Sequence, residues 1–167
     1  PGDPALEKYR ADVEQLCRRM EVNLFRHKWR GAKAGLINDF LSFLAGRPVE
    51  GLEFTPFQRD PHVRDATYLA LFDIDMNPLP DFAEPLLARL EADERIAFAQ
   101  TPQFYSNTLG NRVAYGAALQ QSIFYEYICE GKGMQDAMPC CGTNVVFRIA
   151  ALEDVGGSGR GVGDRGT

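Results

Sequence analysis

Tyr68-Leu69-Ala70-Leu71-Phe72-Asp73-Ile74-Asp75-Met76-Asn77-Pro78 is the stretch whose reading decides the fold. Residues 68–72 form an unbroken apolar run of strand length. They lack the polar alternation of a half-solvated strand, so both faces are expected under cover, as in a parallel sheet. The run stops abruptly at Asp73, and Asn77-Pro78 then turns the chain. Residues two apart in a strand share a face, so Asp73 and Asp75 are expected side by side, with Ile74 turned into the core. Two carboxylates held that close repel each other, and a divalent cation neutralises the pair. A donor set made only of oxygens favours Mg2+ or Mn2+ over zinc. The plainer reading of the same residues is a turn-initiating pair, with Asp75 leading into Asn77-Pro78.

Outward from this junction, helical and strand patterns alternate. Downstream, Phe82, Leu86 and Leu90 mark a helix with Pro85 near its first turn, and residues 96–99 read as a second buried strand. Residues 113–130 predict a long helix crowded with Phe124, Tyr125 and Tyr127, broken by Gly131-Lys132-Gly133. Its aromatics read as core, with a membrane-surface role as the alternative. Residues 145–147 predict a last strand and 150–155 a short helix. Upstream, Leu6, Tyr9, Val13, Leu16, Cys17 and Met20 recur at helical spacing after Asp3-Pro4, an N-cap followed by an early proline. A short strand is expected over 22–25. A helix follows from Lys33, carried by Ala34, Ile37, Phe40, Leu41 and Leu44 and stopped by 46–48. Residues 46–64 read as a long loop. The whole predicts an α/β domain with a mainly parallel sheet whose ligands bind at the carboxyl ends of strands, where Asp73 and Asp75 fall.

At 167 residues and 45% hydrophobic content, the chain holds one domain with a real core. A formal net charge of -5 argues against a nucleic-acid surface, which requires clustered Lys and Arg. The one basic stretch, 26–33, contains Arg26, Lys28, Arg30 and Lys33; it suits an anionic ligand such as a diphosphate or, equally, a solvated face. Cys17, Cys129, Cys140 and Cys141 form no CxxC pair, so neither a zinc site nor a disulfide framework is suggested, and a reducing cytosolic setting is expected. No apolar run approaches the roughly 20 residues of a membrane helix, and the chain is expected to be soluble. Residues 156–167 hold six glycines in twelve positions and are expected to be disordered.

Taken together, four ordered blocks resemble the cellulose-synthase-like branch of family 2 glycosyltransferases. Gly31-Ala32-Lys33-Ala34-Gly35-Leu36-Ile37-Asn38 is similar to that family's KAG-x-x-N segment, and Phe72-Asp73-Ile74-Asp75-Met76-Asn77-Pro78 to its DxD with a trailing proline. Gln100-Thr101-Pro102-Gln103-Phe104-Tyr105-Ser106-Asn107 resembles its QTP-x-x-F-x-N stretch. Cys140-Cys141-Gly142-Thr143-Asn144 resembles its CGT segment, and Ala151-Leu152 to Val155-Gly156-Gly157 the helix that follows. The resemblance implies a GT-A-like, Rossmann-like nucleotide-sugar-binding domain over residues 1–157, incomplete at both ends, followed by a glycine-rich tail over 158–167. It implies that Lys33 lies near the donor nucleotide and that Asp73 and Asp75 hold Mg2+ or Mn2+. Gln100, Thr101, Pro102, Cys141, Gly142 and Thr143 would line the groove for the acceptor. Taken bare, Lys33 is an exposed helix-start lysine, Cys141 a small buried hydrophobe and Gly142 a turn residue.

The family begins with a strand ending in an acidic pair that grips the nucleoside. It continues past the VGG toward a TED motif bearing the general base, a Q-x-x-R-W segment and membrane helices. None of these stands in this sequence, and Asp164 lacks the Thr-Glu context. The parent protein is therefore expected to transfer sugar from a nucleotide-sugar, UDP-linked by resemblance, to a growing β-linked polysaccharide. That transfer would take place at the cytoplasmic face of the plasma membrane, with membrane contact through parts outside this chain. The chain alone is expected to bind rather than turn over. Two other readings stand beside this one. A haloacid-dehalogenase-like phosphatase would use Asp73 as an aspartyl nucleophile, and a non-catalytic relic would keep part of the sheet.

Overall fold

The computed structural model describes residues 3–29, 31–58 and 65–155. Expectations for Arg30, for Gly156 and Gly157 and for the 158–167 tail lie outside the described residues. Chain contacts divide the protein into two units, Pro1–Ala66 with Leu152–Thr167, and Thr67–Ala151.

In the first unit, α1 (Pro4–Met20) starts where the Asp3 carboxylate accepts from Ala5 N at 2.9 Å, with Pro4 in the position that needs no N–H partner. Glu21 ends it in a left-handed conformation, φ 54°. The face expected to be buried is not: no residue of α1 is buried, and Leu6, Tyr9, Leu16 and Met20 are all exposed. β1 (Leu24–Arg26) is followed by α2 (Ala32–Leu44) and β2 (Glu53–Thr55), and the two strands pair antiparallel with Phe25 opposite Phe54. β2 falls inside the stretch read as a loop. With a single apolar residue in Glu53-Phe54-Thr55, only its pairing to β1 makes it a strand. Phe25, Phe40, Phe43 and Phe54 form one ring cluster, with neighbouring centroids 4.6 to 6.2 Å apart, and Ile37 and Leu41 of α2 are buried. Here the helical spacing of Ile37, Phe40, Leu41 and Leu44 becomes packing.

In the second unit, β3 (Tyr68–Leu71), α3 (Ala83–Ala92) and β4 (Phe98–Gln100) come first. A helix follows that is α over Arg112–Ile123 (α4), π over Phe124–Cys129 and α again over Glu130–Gly133 (α5). β5 (Val145–Arg148) then leads directly into α6 (Ile149–Asp154), which from Leu152 onward belongs to the first unit. The glycines at 131 and 133 do not break the long helix, which runs through them to Gly133. The sheet order is β3-β5-β4, and both ladders are antiparallel. This corrects the expected parallel sheet: all strand pairs among the described residues are antiparallel. β3, α3 and β4 do make a strand–helix–strand crossover with two strands running the same way, but β5 fills the space between them in the opposite direction. A continuous apolar run does not report the direction of the neighbour, nor, in this case, full cover: no residue of β3 is buried, and Ala70 is exposed.

The core sits where α3 lies on this sheet. Leu86, Leu90 and Val146 are buried together, flanked by Tyr68, Phe82, Leu87, Ile96 and Ala99. Arg148 staples the far end: its guanidinium donates to Leu90 O at 2.7 Å and to the Tyr68 hydroxyl at 3.2 Å, capping a carbonyl of the last turn of α3. The Tyr68 hydroxyl in turn donates to Glu91.

At the exit of α3, Asp93 accepts from both the amide and the guanidinium of Arg95, and these bonds hold its carboxyl down at about 2. A carboxylate with a lowered native pKa adds stability that is present above its ordinary value near 4 and is lost as pH falls toward 2. Asp93→Asn is therefore expected to remove the part of the acid-induced loss of stability that falls between about pH 4 and 2. Urea unfolding of both proteins across that window checks it, and the two stability curves should converge at the acid end.

Candidate functional site

β3 stops pairing after Leu71, and the Asp73-Ile74-Asp75 triplet that follows is not strand. Met76 N donates to Asp73 O at 3.1 Å, closing a β-turn with Ile74 and Asp75 at its centre. Ile74, expected in the core, is fully exposed, Asp75 is exposed and Asp73 half-buried. The carboxylates are therefore carried on a turn just beyond the end of β3.

Three blocks distant in sequence meet at this edge of the sheet. Leu71 and Gln100, the last residues of β3 and β4, both face Val145, the first of β5. Beyond that row, Thr101 N donates to Asn144 O at 3.0 Å, and Asp73 N donates to the Thr143 hydroxyl at 2.9 Å. The Gln100 carboxamide is fully engaged: Oε1 accepts from Cys141 N at 3.0 Å, while Nε2 donates to Pro139 O at 3.2 Å and contacts Cys141 Sγ at 3.3 Å. Gly142 at φ 75° and Asn144 at φ 51° both take the left-handed region, which Gly adopts freely and Asn tolerates. The Gly-Thr-Asn triplet is thus written for this loop. Thr143 between them is 4% exposed, so its side chain faces protein.

The π-helical stretch supports the loop from behind. Tyr125 and Cys129 are its two buried side chains. Burial, and then a hydrogen bond with the Cys141 thiol, holds the Tyr125 phenol well above its usual range. Burial likewise pushes the Cys129 thiol up, with Cys141 adding to the effect. Neither Tyr125 nor Cys129 carried a sequence signal beyond its apolar surroundings. Cys129 at 1% exposure should resist iodoacetamide until the protein unfolds, whereas the exposed Cys140 should be modified first. Peptide mass spectrometry along a labelling time course gives the order directly.

In the first unit, Lys33 is exposed at the start of α2. Gly31, Gly35, Asn38 and Asp39 line a hollow of about 340 Å³ along that helix. Gly31 caps α2 at φ 61°, a left-handed conformation that favours glycine. His27 Nδ1 lies 2.9 Å from the buried Asp39 carboxylate, so that nitrogen carries the hydrogen and donates. Arg26 and Lys28 of the basic stretch are paired within the protein: Arg26 donates to Arg10 O and faces Glu14 and Glu53, and Lys28 faces Glu50 at 3.6 Å. Those pairings favour the solvated-face reading for Arg26 and Lys28.

Among the described residues there is no group of three or more His, Cys, Asp or Glu side chains that could enclose a metal ion, and no helix is long and apolar enough to cross a membrane. A pair of carboxylates on an exposed turn suits a hard cation that draws its remaining ligands from water and substrate phosphates, which is how Mg2+ is commonly held. The donor chemistry therefore fits Mg2+ or Mn2+.

The sequence signature of the family described as Glycosyl transferase family 2 matches residues 6–156. The chain is 39% identical over 95 residues to a UDP-forming cellulose synthase catalytic subunit of Dictyostelium discoideum, covering 56% of this chain and 9% of that protein. It is 28% identical over 153 residues to the UDP-forming cellulose synthase catalytic subunit of Pseudomonas fluorescens, covering 89% of this chain and 18% of that one. A probable glucomannan 4-beta-mannosyltransferase of Oryza sativa is 28% identical over 151 residues, covering 87% of this chain and 24% of its own length. The chain spans a quarter or less of each of these relatives. The family match disfavours the phosphatase reading of Asp73. From the turn-borne DxD to the Gly142-Thr143-Asn144 loop, this chain belongs to glycosyl transferase family 2, in its cellulose-synthase-like branch.

Proposed function

We propose that this chain carries the donor-binding edge of an inverting sugar transferase that elongates a β-linked polysaccharide from a UDP-sugar at the cytoplasmic face of a membrane. The observation that carries the proposal is the convergence of Asp73, Gln100-Thr101 and Cys141-Gly142-Thr143 on one end of the β3-β5-β4 sheet. Asp73 and Asp75 hold Mg2+ or Mn2+ together with the diphosphate. When bound, the ion neutralises the charge that builds on the departing diphosphate. Lys33, in the first unit, keeps its assignment to the anionic nucleotide on the family resemblance alone. Thr101, Pro102 and Gly142, with Gln100, Cys141 and Thr143 behind them, shape the groove that orients the acceptor. In the transfer itself an acceptor hydroxyl attacks the anomeric carbon, the bond to the diphosphate oxygen breaks, and the hydroxyl proton passes to a base. No residue among those described is assigned as that base, so binding rather than turnover is the property to measure. The UDP-forming relatives favour uridine over other nucleosides.

Calorimetric titration of the chain with UDP, UDP-glucose and a GDP-sugar, each with Mn2+ and again with excess EDTA, tests the proposal. UDP binding that disappears with EDTA is expected. Binding indifferent to EDTA would contradict it.

A further inference from the structure

We infer that Thr143 is a positioning residue for the DxD turn, acting through the Asp73 amide; the inference deepens the donor-site proposal and rests on it. Extending the β3–β5 register beyond the Leu71–Val145 pair by two residues sets Asp73 opposite Thr143. Main-chain pairing does not continue to that point, because Asn144 and Gly142 both adopt left-handed backbone and carry the β5 lead-in away from the ladder. In place of a main-chain carbonyl, the Thr143 hydroxyl accepts from Asp73 N at 2.9 Å. Thr143 is buried, so the hydroxyl meets that amide in surroundings from which water is largely shut out. On its other side, extension of the β4–β5 register sets Thr143 opposite Pro102, which has no N–H to offer. The hydroxyl is therefore committed to the β3 side.

The Asp73 amide is the last fixed point before the turn that carries both carboxylates. Losing its acceptor frees the start of that turn, while the Asp73 and Asp75 side chains keep their chemistry. A threonine that merely lined a sugar groove would be exposed to it; this one is covered and bonded to the metal-bearing turn. The role separates Thr143 from neighbouring Gly142, whose left-handed backbone shapes the loop.

The test compares Thr143→Val, which keeps shape but removes the acceptor, with Thr143→Ser, which keeps the hydroxyl. Two readouts are needed: hydrogen exchange of the Asp73 amide in the ligand-free chain, and affinity for UDP with Mn2+. Thr143→Val is expected to lower Asp73 amide protection and UDP affinity each by ~10-fold, the equivalent of one net hydrogen bond. Thr143→Ser should stay within ~2-fold of wild type on both, and the amides of β3 should keep their protection in either variant. Unchanged Asp73 protection in Thr143→Val overturns the inference, as does a loss matched in Thr143→Ser. Absence of Mn2+-dependent UDP binding by the wild type overturns the donor-site proposal instead, and the exchange data still decide whether Thr143 anchors the turn.

Discussion

Replacing Asp73 and Asp75 together by alanine is expected to weaken Mn2+-dependent UDP binding by ~100-fold or more while leaving the fold in place. The magnitude follows from the ligand count. Disturbing the outer partners of a metal site alone costs about 10–100-fold, and here both protein ligands of the proposed site are removed at once. The fold should tolerate the change because neither side chain belongs to the core: Asp75 is exposed and Asp73 half-buried at the end of β3. The main-chain bonds that define the turn, from Asp73 N to Thr143 and from Met76 N to Asp73 O, use backbone atoms of these residues and survive the substitution. The single variants separate the two carboxylates, and Asp75→Ala is the cleaner, since Asp75 lies furthest from packed structure. Titration with UDP in Mn2+, alongside a thermal melt of each variant, distinguishes lost affinity from lost fold.

Leu90→Ala should give the largest loss of stability. Leu90 is fully buried, packed with Leu86 and Val146 beneath the strands that carry the site. Leu-to-Ala changes at such positions cost about 2–5 kcal/mol, the lost transfer free energy plus the cavity left behind. Domains have only about 5–15 kcal/mol to lose. A fall in melting temperature on the order of 10 °C is expected, with Leu90→Met much milder because it nearly conserves volume. Urea denaturation followed by circular dichroism measures both. Equal midpoints for Leu90→Ala and wild type would mean that α3 is not seated on the sheet as described.

The sequence made some of this legible and hid the rest for definite physical reasons. α3 could be read because Phe82, Leu86 and Leu90 recur every four residues, and both leucines are buried in the structure. β3 could be read as a strand, but neither its exposed Ala70 nor its partner could be, since the residues that pair with it belong to the distant stretch Val145–Arg148. Pairing direction is a tertiary choice that leaves little trace in a run of apolar residues. The same extrapolation placed Ile74 in the core. An apolar residue between two acids looks like strand alternation, whereas Asn77-Pro78 was the signal for the turn that exposes it. α1 shows the limit of periodicity: its helical spacing was correct, yet no residue on it is buried. The π-helical stretch was invisible because the local pattern of Phe124-Tyr125-Glu126-Tyr127-Ile128-Cys129 does not specify which aromatic turns inward. The structure buries Tyr125 and leaves Tyr127 exposed.

For the candidate site, the sequence singled out blocks that the structure brings together, but not the bonds their atoms make. The block from Gln100 to Pro102 and the block from Cys141 to Thr143 were singled out together, and the structure brings them to the same sheet edge as Asp73. Which of them offer polar atoms outward depends on hydrogen bonds between segments far apart in the chain. Gln100 spends its carboxamide on Pro139 and Cys141, and Thr143 spends its acceptor on Asp73. Spacing cannot reveal such commitments.

Everything proposed for the site requires a metal-bound nucleotide at the carboxyl end of β3, against the Asp73–Asp75 turn. Paramagnetic broadening of amide signals by Mn2+ in the presence of UDP probes that placement, because the effect falls steeply with distance from the ion. Amides of Ile74, Asp75 and Met76 are expected to vanish first, followed by those of Thr101 and Thr143, while amides of α3 such as Glu91 stay sharp. Broadening centred elsewhere, or spread evenly over the acidic surface, would mean that the ion and its nucleotide do not sit on this turn.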